Sequence, residues 1–85
     1  MIIRIMRIRI RILSHFSGVL GFDESSLYVR DGITFGEVKA LLMEQLSNFI
    51  RPIEIGMYVN MRPVPDDYKI NDGDTLYVFP RSSTP

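Results

Sequence analysis

Residues 7–12 alternate strictly between arginine and isoleucine. Alternation with a period of two is typical of a β-strand that has one buried face and one face in water. The face predicted to be buried consists of Ile8, Ile10 and Ile12. The face predicted to lie in water consists of Arg7, Arg9 and Arg11. Before Met6 the apolar residues fall on the opposite phase, and we interpret residues 1–5 as a loose extension, with a bulge at Met6 as the alternative.

A second strand is predicted near the end of the chain. Residues 71–74 have the chemistry of a turn, because Gly73 can adopt a positive φ and the flanking polar side chains can hydrogen-bond nearby backbone. Asp72 and Asp74 could also suggest calcium, but a full acidic loop is missing and the turn is preferred. Residues 75–79 are β-branched, aliphatic or aromatic and have the length of a strand, which Pro80 ends because proline lacks a backbone donor.

Between these strands the sequence predicts one main helix. Thr34 and Glu37 have the spacing of a capping box at its start. The side chains that follow on one helical face are Val38, Leu41, Leu42, Gln45, Leu46 and Phe49. A short helical turn is predicted within residues 14–20, strands at 27–29 and 53–59, and a short edge segment around Val64.

This order of elements predicts an α+β protein of the β-grasp (ubiquitin-like) class. A mixed sheet of four to five strands offers one face to the apolar stripe of one main helix. The first and last strands are expected to lie side by side and parallel in the centre, with the rest of the chain as the crossover. The 85 residues form a single domain, with residues 81–85 expected to be a flexible tail.

The amino-acid composition restricts the functions that this chain can have. Ten lysine and arginine residues balance ten aspartate and glutamate residues, so net charge does not favour nucleic acid or an anionic membrane. No cysteine is present for a disulfide, a thiolate nucleophile or a zinc knuckle. His15 is the single histidine and has no acid at ligand spacing, so we expect no enzyme, cofactor or metal site. No signal or membrane-spanning pattern occurs, and a cytoplasmic location is expected.

Three segments carry a family resemblance. They are residues 33–38 (ITFGEV) at the helix start, residues 58–64 (YVNMRPV) at a turn, and residues 70–74 (INDGD) leading into residues 78–80 (VFP). In this order and spacing the chain resembles the ThiS/MoaD family of β-grasp sulfur carriers, which are relatives of ubiquitin. The resemblance runs from about residue 6 to residue 80 and implies the same fold.

The resemblance also implies a chemistry for the end of the chain. Members of this family end in Gly-Gly, and an activating enzyme converts the terminal carboxylate into an adenylate and then a thiocarboxylate, which delivers sulfur to molybdopterin or thiazole synthesis. Glycine suits a tail that threads a narrow channel, whereas proline fixes φ near about −65°. The corresponding tail of this sequence is Pro80, Arg81, Ser82, Ser83, Thr84 and Pro85. Because Thr84-Pro85 replaces the diglycine, we expect the fold of a carrier without its working end.

The sheet face opposite the helix is the predicted binding surface. Residue parity turns Tyr77 and Phe79 outward together with the arginines, and Tyr58 joins them from a neighbouring strand. The candidate partner-binding residues are Arg7, Arg9, Arg11, Tyr58, Tyr77 and Phe79. Arginine and aromatic residues are enriched in protein interfaces, although arginine stems can also simply cover aromatic rings.

We therefore predict a non-catalytic β-grasp protein that works by binding another protein. The expected partner is a ThiS/MoaD-type activating or synthase-like enzyme, or a second copy of the chain. One alternative is a true sulfur carrier or ubiquitin-like modifier in molybdopterin, thiamine or related sulfur transfer. A second alternative is the binding of single-stranded nucleic acid through the same arginine and aromatic face.

Overall fold

The structure is a computed structural model that describes residues 3–83, and within them four strands form one sheet. The strands are β1 (Ile5–Ile12), β2 (Glu24–Arg30), β3 (Ile55–Val59) and β4 (Thr75–Pro80). The helices are α1 (Phe16–Leu20) and α2 (Phe35–Leu46), and single 3-10 turns occur at Pro52–Glu54 and Arg81–Ser83. The predicted strand at 53–59 is therefore two residues shorter, because its start is a 3-10 turn that opens with a proline.

The order of strands across the sheet is β2-β1-β4-β3. β1 pairs antiparallel with β2 and parallel with β4, while β3 pairs antiparallel with β4. The first and last strands thus lie in the centre and run in parallel, as the sequence predicts, and the fold is an α+β β-grasp. The segment around Val64 adds no fifth strand, since it contributes only an isolated bridge between Val59 and Arg62.

β1 shows the predicted alternation of buried and exposed residues. Ile8, Ile10 and Ile12 are buried, and the arginines between them are exposed. The interpretation of residues 1–5 as an extension is wrong at Ile5, which belongs to β1 and pairs with Arg30 in an unbroken register. The register has no bulge, because Met6 continues the buried phase and the exposed Ile5 continues the outer one. Residues 1 and 2 lie outside the described residues.

The turn before β4 also agrees with the sequence. Gly73 has a φ of +86°, Asp72 Oδ1 accepts from the Arg7 backbone N–H at 2.9 Å, and Asp74 Oδ2 accepts from the Asn71 N–H at 2.9 Å. At the other end of β4, Pro80 faces Ile55. Opposed pairs in an antiparallel ladder are alternately hydrogen-bonded and not hydrogen-bonded. The Asn60 N–H donates to Thr75 O, so counting along the register makes Ile55 and Pro80 a pair without hydrogen bonds. The missing proline donor therefore leaves this pairing intact.

The capping box at the start of α2 is present in both directions. The Thr34 hydroxyl accepts from the Glu37 N–H at 3.3 Å, and Glu37 Oε1 accepts from the Thr34 N–H at 3.2 Å. Val38 and Leu46 are buried and Leu42 is half-buried, as predicted. The rest of the predicted stripe is exposed, namely Leu41, Gln45 and Phe49. Leu41 and Gln45 lie at the edge of the stripe, and the helix ends at Leu46, so that Ile50 rather than Phe49 reaches the core.

The capping box predicts a pH dependence of stability. The backbone N–H and the hydroxyl of Thr34, together with the nearby Arg30 guanidinium, hold the pKa of Glu37 below its usual range. A carboxylate with a lowered pKa in the folded state adds stability above its unfolded pKa of about 4.3, and loses it as pH falls through the folded pKa. We therefore expect the melting temperature of the protein to fall more steeply below about pH 4.3 than that of Glu37→Gln.

Glu44→Gln is the matched control for this measurement, since Glu44 is exposed on the same helix and its side chain takes no part in the cap. The control is expected to follow the wild-type melting curve as pH is lowered. If the melting temperature of Glu37→Gln falls at low pH as steeply as that of the control, the carboxylate of the cap is not the titrating group.

Candidate functional site

The outer face of the sheet, opposite α2, places most of the predicted binding residues in cross-strand rows. One row runs across all four strands through Glu24, Arg11, Tyr77 and Tyr58, which are consecutive partners in the register. Arg9 lies between Ser26 and Thr75 in the next row, and Arg7 lies opposite Tyr28. The predicted arginines and the two predicted tyrosines therefore share one continuous surface, which we call the outer face.

The arginines of the outer face differ in their partners. Arg9 Nε lies 3.4 Å from Glu24 Oε1, and Arg11 Nη1 lies 3.9 Å from Glu24 Oε2. About half of each of these side chains is exposed, so the ion pairs add little stability. Arg7 forms no ion pair within residues 3–83, and the residue is exposed. The basic charge at the Arg7 end is thus available to a ligand.

Tyr28 is an exposed aromatic residue of the outer face that the sequence analysis missed. Its side chain is 67% exposed and lies directly opposite Arg7 on β2. The signal was present in the sequence, because Leu27 and Val29 flank it on the buried phase and period-two alternation turns the residue between them outward. Tyr28 and Arg7 together extend the aromatic and basic surface to the β2 side of the sheet.

Phe79 is not an exposed anchor, and this part of the predicted site is wrong. It faces outward by parity, but only 4% of it is exposed. Its ring packs edge-on against Tyr58, with ring centroids 4.7 Å apart. It also covers Gly56, its partner in the register, where a methyl group would lie 2.5 Å from Cε2 of the ring. The ring is buried because Gly56 has no side chain to hold it away from the sheet.

The beginning of the tail contacts the sheet. Pro80 is buried at the end of β4, and Arg81 starts the last 3-10 turn and donates from Nε to the Ile55 carbonyl at 3.1 Å. Residues 81–83 thus continue the chain as a 3-10 turn, and the flexibility predicted for residues 81–85 stays a prediction. Ser82 is exposed there, and Ser83 is the last residue of the turn. Thr84 and Pro85 lie outside the described residues.

A polar network closes the end of the sheet where β4 begins. Asp74 accepts from the Asn60 side-chain amide at 3.0 Å and from the Tyr68 hydroxyl at 3.1 Å, and Asn60 Oδ1 accepts from the Thr75 N–H at 3.0 Å. Partial burial, and then the hydrogen bond to Asp74 and its charge, raise the pKa of Tyr68. These groups satisfy one another and hold the turn, so the network is structural.

His15 and the acidic side chains are the candidate metal ligands within the part of the chain that the structure describes. His15 is exposed and makes an edge-on contact with the Phe16 ring at a centroid distance of 5.1 Å. Within residues 3–83 no group of three or more His, Asp or Glu side chains is placed to hold a metal ion. In the same residues, none of the helices has the length and apolar character to span a membrane. The outer face is therefore the best candidate for a functional site.

Searches with protein-family models and against curated proteins gave no match to this chain. Among solved structures, a protein described as molybdopterin converting factor subunit 1 from Pyrococcus furiosus is similar, with a TM-score of 0.73 at 20% identity over 88% of this chain and 97% of that one. Small archaeal modifier protein 1 from Haloferax volcanii has a TM-score of 0.68 at 17% identity, covering 88% and 97% of the two chains.

A ubiquitin from Caldiarchaeum subterraneum is similar over 96% of this chain and 100% of its own, with a TM-score of 0.69 at 18% identity. At these identities the likeness is one of fold. It confirms the predicted ubiquitin-like β-grasp, which the molybdopterin converting factor subunit and the archaeal modifier protein share.

Proposed function

We propose that this chain is a non-catalytic β-grasp protein that binds another protein through the outer face of its sheet. The observation that supports this most directly is the combination of Arg7, which has no ion pair within residues 3–83, with the exposed Tyr28 beside it and the half-exposed Tyr58 and Tyr77 further along. Tyrosine and arginine are the residues that most often supply binding energy in protein interfaces. The opposite face of the sheet is covered by α2 and belongs to the core.

The charge of the outer face indicates the chemistry of the partner. Three arginines lie in a row on β1, and Glu24 is the acidic residue that neutralises part of their charge. A complementary surface would present carboxylates near Arg7 and apolar or aromatic groups over the tyrosine rings. We therefore expect a partner with an acidic patch. Association with such a partner should weaken as salt concentration rises, because the charges are exposed.

The test uses a double variant, Arg7→Glu with Tyr77→Ser. Both side chains lie outside the core, so the fold should persist, while reversal of a charge and loss of a ring should weaken partner binding by about a hundredfold or more. Binding of the protein that copurifies with the wild type would be measured by titration calorimetry. Arg9 is unsuitable for this purpose, since a glutamate there would repel Glu24.

A matched control is Arg51→Glu with Ile53→Ser, which makes the same kinds of change at exposed positions outside the sheet. The control should bind the partner as the wild type does. Equal affinity of the test variant and the wild type would contradict the proposal. Salt-sensitive binding of single-stranded oligonucleotides, lost in the test variant, would favour the nucleic-acid alternative instead.

The carrier alternative is supported by the fold shared with a molybdopterin converting factor subunit and with archaeal modifier proteins. Against it stands the absence of any Gly-Gly pair in the 85 residues. Incubation with ATP and a ThiS/MoaD-type activating enzyme, followed by intact-mass spectrometry, separates the two functions. We expect neither an adenylate nor a thiocarboxylate. Either product in substantial yield would favour the carrier.

A further inference from the structure

The outer edge of β2 has backbone groups without hydrogen-bond partners among the described residues. Hydrogen bonds from the Ile12 N–H to Asp23 O and from the Asp31 N–H to Arg4 O fix the phase of the β1–β2 ladder. Antiparallel ladders alternate, so the odd-numbered residues of β2 bond to β1 and the even-numbered residues point their N–H and C=O groups away from the sheet. The outward-facing residues are Glu24, Ser26, Tyr28 and Arg30. Within residues 3–83, only the Arg30 carbonyl among these groups has a hydrogen-bond partner, the Ile33 N–H.

The opposite edge of the sheet, formed by β3, is largely closed. Val59 exchanges both backbone hydrogen bonds with Arg62 across the tight turn at Asn60 and Met61, whose positive φ angles of 51° and 66° allow that turn. The Ile55 carbonyl accepts from Arg81 Nε. The two edges of the sheet therefore differ: among the described residues, only β2 has a row of backbone donors and acceptors without partners.

β2 also lacks the sequence features that usually keep an edge strand from pairing with a strand of another chain. It is seven residues long, contains no proline, lysine or glycine, and its register with β1 has no bulge. Exposed edges of this length are templates for another strand. The side chains of β2 would not strongly repel another strand, because the only charged residues are one acid at its start and one base at its end.

We propose that β2 pairs antiparallel with β2 of a second copy of this chain, which joins two four-stranded sheets into one of eight. A two-fold axis at Leu27 places Glu24 opposite Arg30 of the second copy and Ser26 opposite Tyr28 of the second copy. All these residues are even-numbered, so every pair is formed by outward-facing backbone groups. The hydrogen bonds of the ladder can form without a shift in register, and the Arg30 carbonyl, which already accepts from the Ile33 N–H, would accept a second bond through its other lone pair. A two-fold interface of this kind is self-complementary and closes on itself.

The charges of Glu24 and Arg30 favour this register over registers shifted by two residues. The pairing centred on Leu27 produces two Glu24–Arg30 contacts between the copies, one at each end of the ladder. A shift by two residues keeps the backbone alternation but places Glu24 opposite either Tyr28 or Gly32 and removes both contacts. Opposite charges directly across an antiparallel pair stabilise it, and like charges destabilise it. The charge complementarity of β2 with itself is what identifies a second copy as the occupant of this edge.

Charge reversal tests the proposal by sedimentation equilibrium of the full chain. Glu24→Arg and Arg30→Glu each place two like-charged pairs in the dimer, and each should raise the dimer dissociation constant by about tenfold or more. The double variant restores opposite charges and should recover dimerisation. An equal mixture of the two single variants should form a heterodimer, because every contact between them is then between opposite charges.

Recovery of this kind can arise only between copies. Glu24 and Arg30 are six residues apart on one strand, about 20 Å, so they cannot contact each other within a chain. Each also has intrachain partners, Arg9 and Arg11 for Glu24 and Glu37 for Arg30, and those contacts stay disrupted in the double variant. A double variant that remains as weak as the single ones would therefore contradict the proposed register.

The backbone hydrogen bonds provide an independent test. Ser26→Pro removes an N–H that faces solvent in the monomer and the second copy in the dimer, whereas Ser26→Ala keeps it. We expect the proline variant to remain folded and monomeric and the alanine variant to dimerise as the wild type does. A wild-type protein that stays monomeric at millimolar concentration, or a folded Ser26→Pro protein that dimerises normally, would overturn the proposal.

Discussion

Replacing Ile8 by alanine is expected to lower the free energy of unfolding by about 2–5 kcal/mol. Ile8 is 1% exposed, in the middle of a central strand and within the main hydrophobic cluster. The substitution leaves a cavity between the sheet and its covering elements, and the loss combines the transfer free energy of the removed methyl groups with that cavity. Urea denaturation followed by circular dichroism measures the change through the midpoint at constant slope.

Arg7→Ala is the control for this experiment, one residue away on the outer face. Arg7 is exposed and forms no side-chain hydrogen bond or ion pair within residues 3–83, so its loss is expected to change stability by no more than about 0.5 kcal/mol. Equal losses for the two variants would contradict the assignment of the two faces of β1.

Gly56→Ala is the second substitution expected to lower stability strongly, and it lies on the outer face of the sheet. The added methyl group would lie 2.5 Å from Cε2 and 2.8 Å from Cζ of Phe79, whose ring is enclosed by Tyr58. The ring must move or the strands must separate, and overpacking of this kind costs about 1–3 kcal/mol. Thermal and urea melts of the variant should show the loss directly.

Two comparisons show whether the ring is the cause. Gly18→Ala adds the same methyl group in α1, where nothing beyond its chain neighbours and the backbone of its own helix lies within 4 Å. The substitution should be neutral or slightly stabilising, because alanine favours helix. In a Phe79→Ala background the obstacle to Gly56→Ala is absent, so the second substitution should cost much less there than in the wild type. Additive losses would show that the two positions are independent.

Local patterns predicted most of the fold because each depends on neighbours in sequence. The alternation in β1, the capping box at Thr34 and the turn at Gly73 each involve residues a few positions apart. The parallel pairing of the first and last strands followed from the β-grasp class, which one main helix on one face of a mixed sheet indicates. Ile5 was assigned to an extension because it is apolar at an odd-numbered position, where the alternation of β1 predicts an outward polar residue. An outward apolar residue at the end of a strand can nevertheless pair with the neighbouring strand, as Ile5 does with Arg30.

The outer face was only partly predictable, because parity gives the direction of a side chain and not what covers it. Phe79 points outward as expected, but its exposure depends on Gly56 and Tyr58, which lie on another strand. Finding that contact requires the register between β3 and β4. The free edge of β2 was likewise hidden, since a strand becomes an edge only through the order of the whole sheet.

The parallel pairing of β1 with β4 has a consequence for how the chain is made. The Arg9 N–H donates to Asp74 O, and the register continues from Thr75 to Val78. The parallel partner of β1 is therefore synthesised only after β2, α2 and β3. While the ribosome is still elongating the middle of the chain, β1 can pair only with β2 and keeps its other edge open. Closing so long a loop is slow compared with forming a hairpin. The nascent protein therefore has an exposed central strand until β4 emerges, and a chaperone that binds extended apolar segments would meet it there.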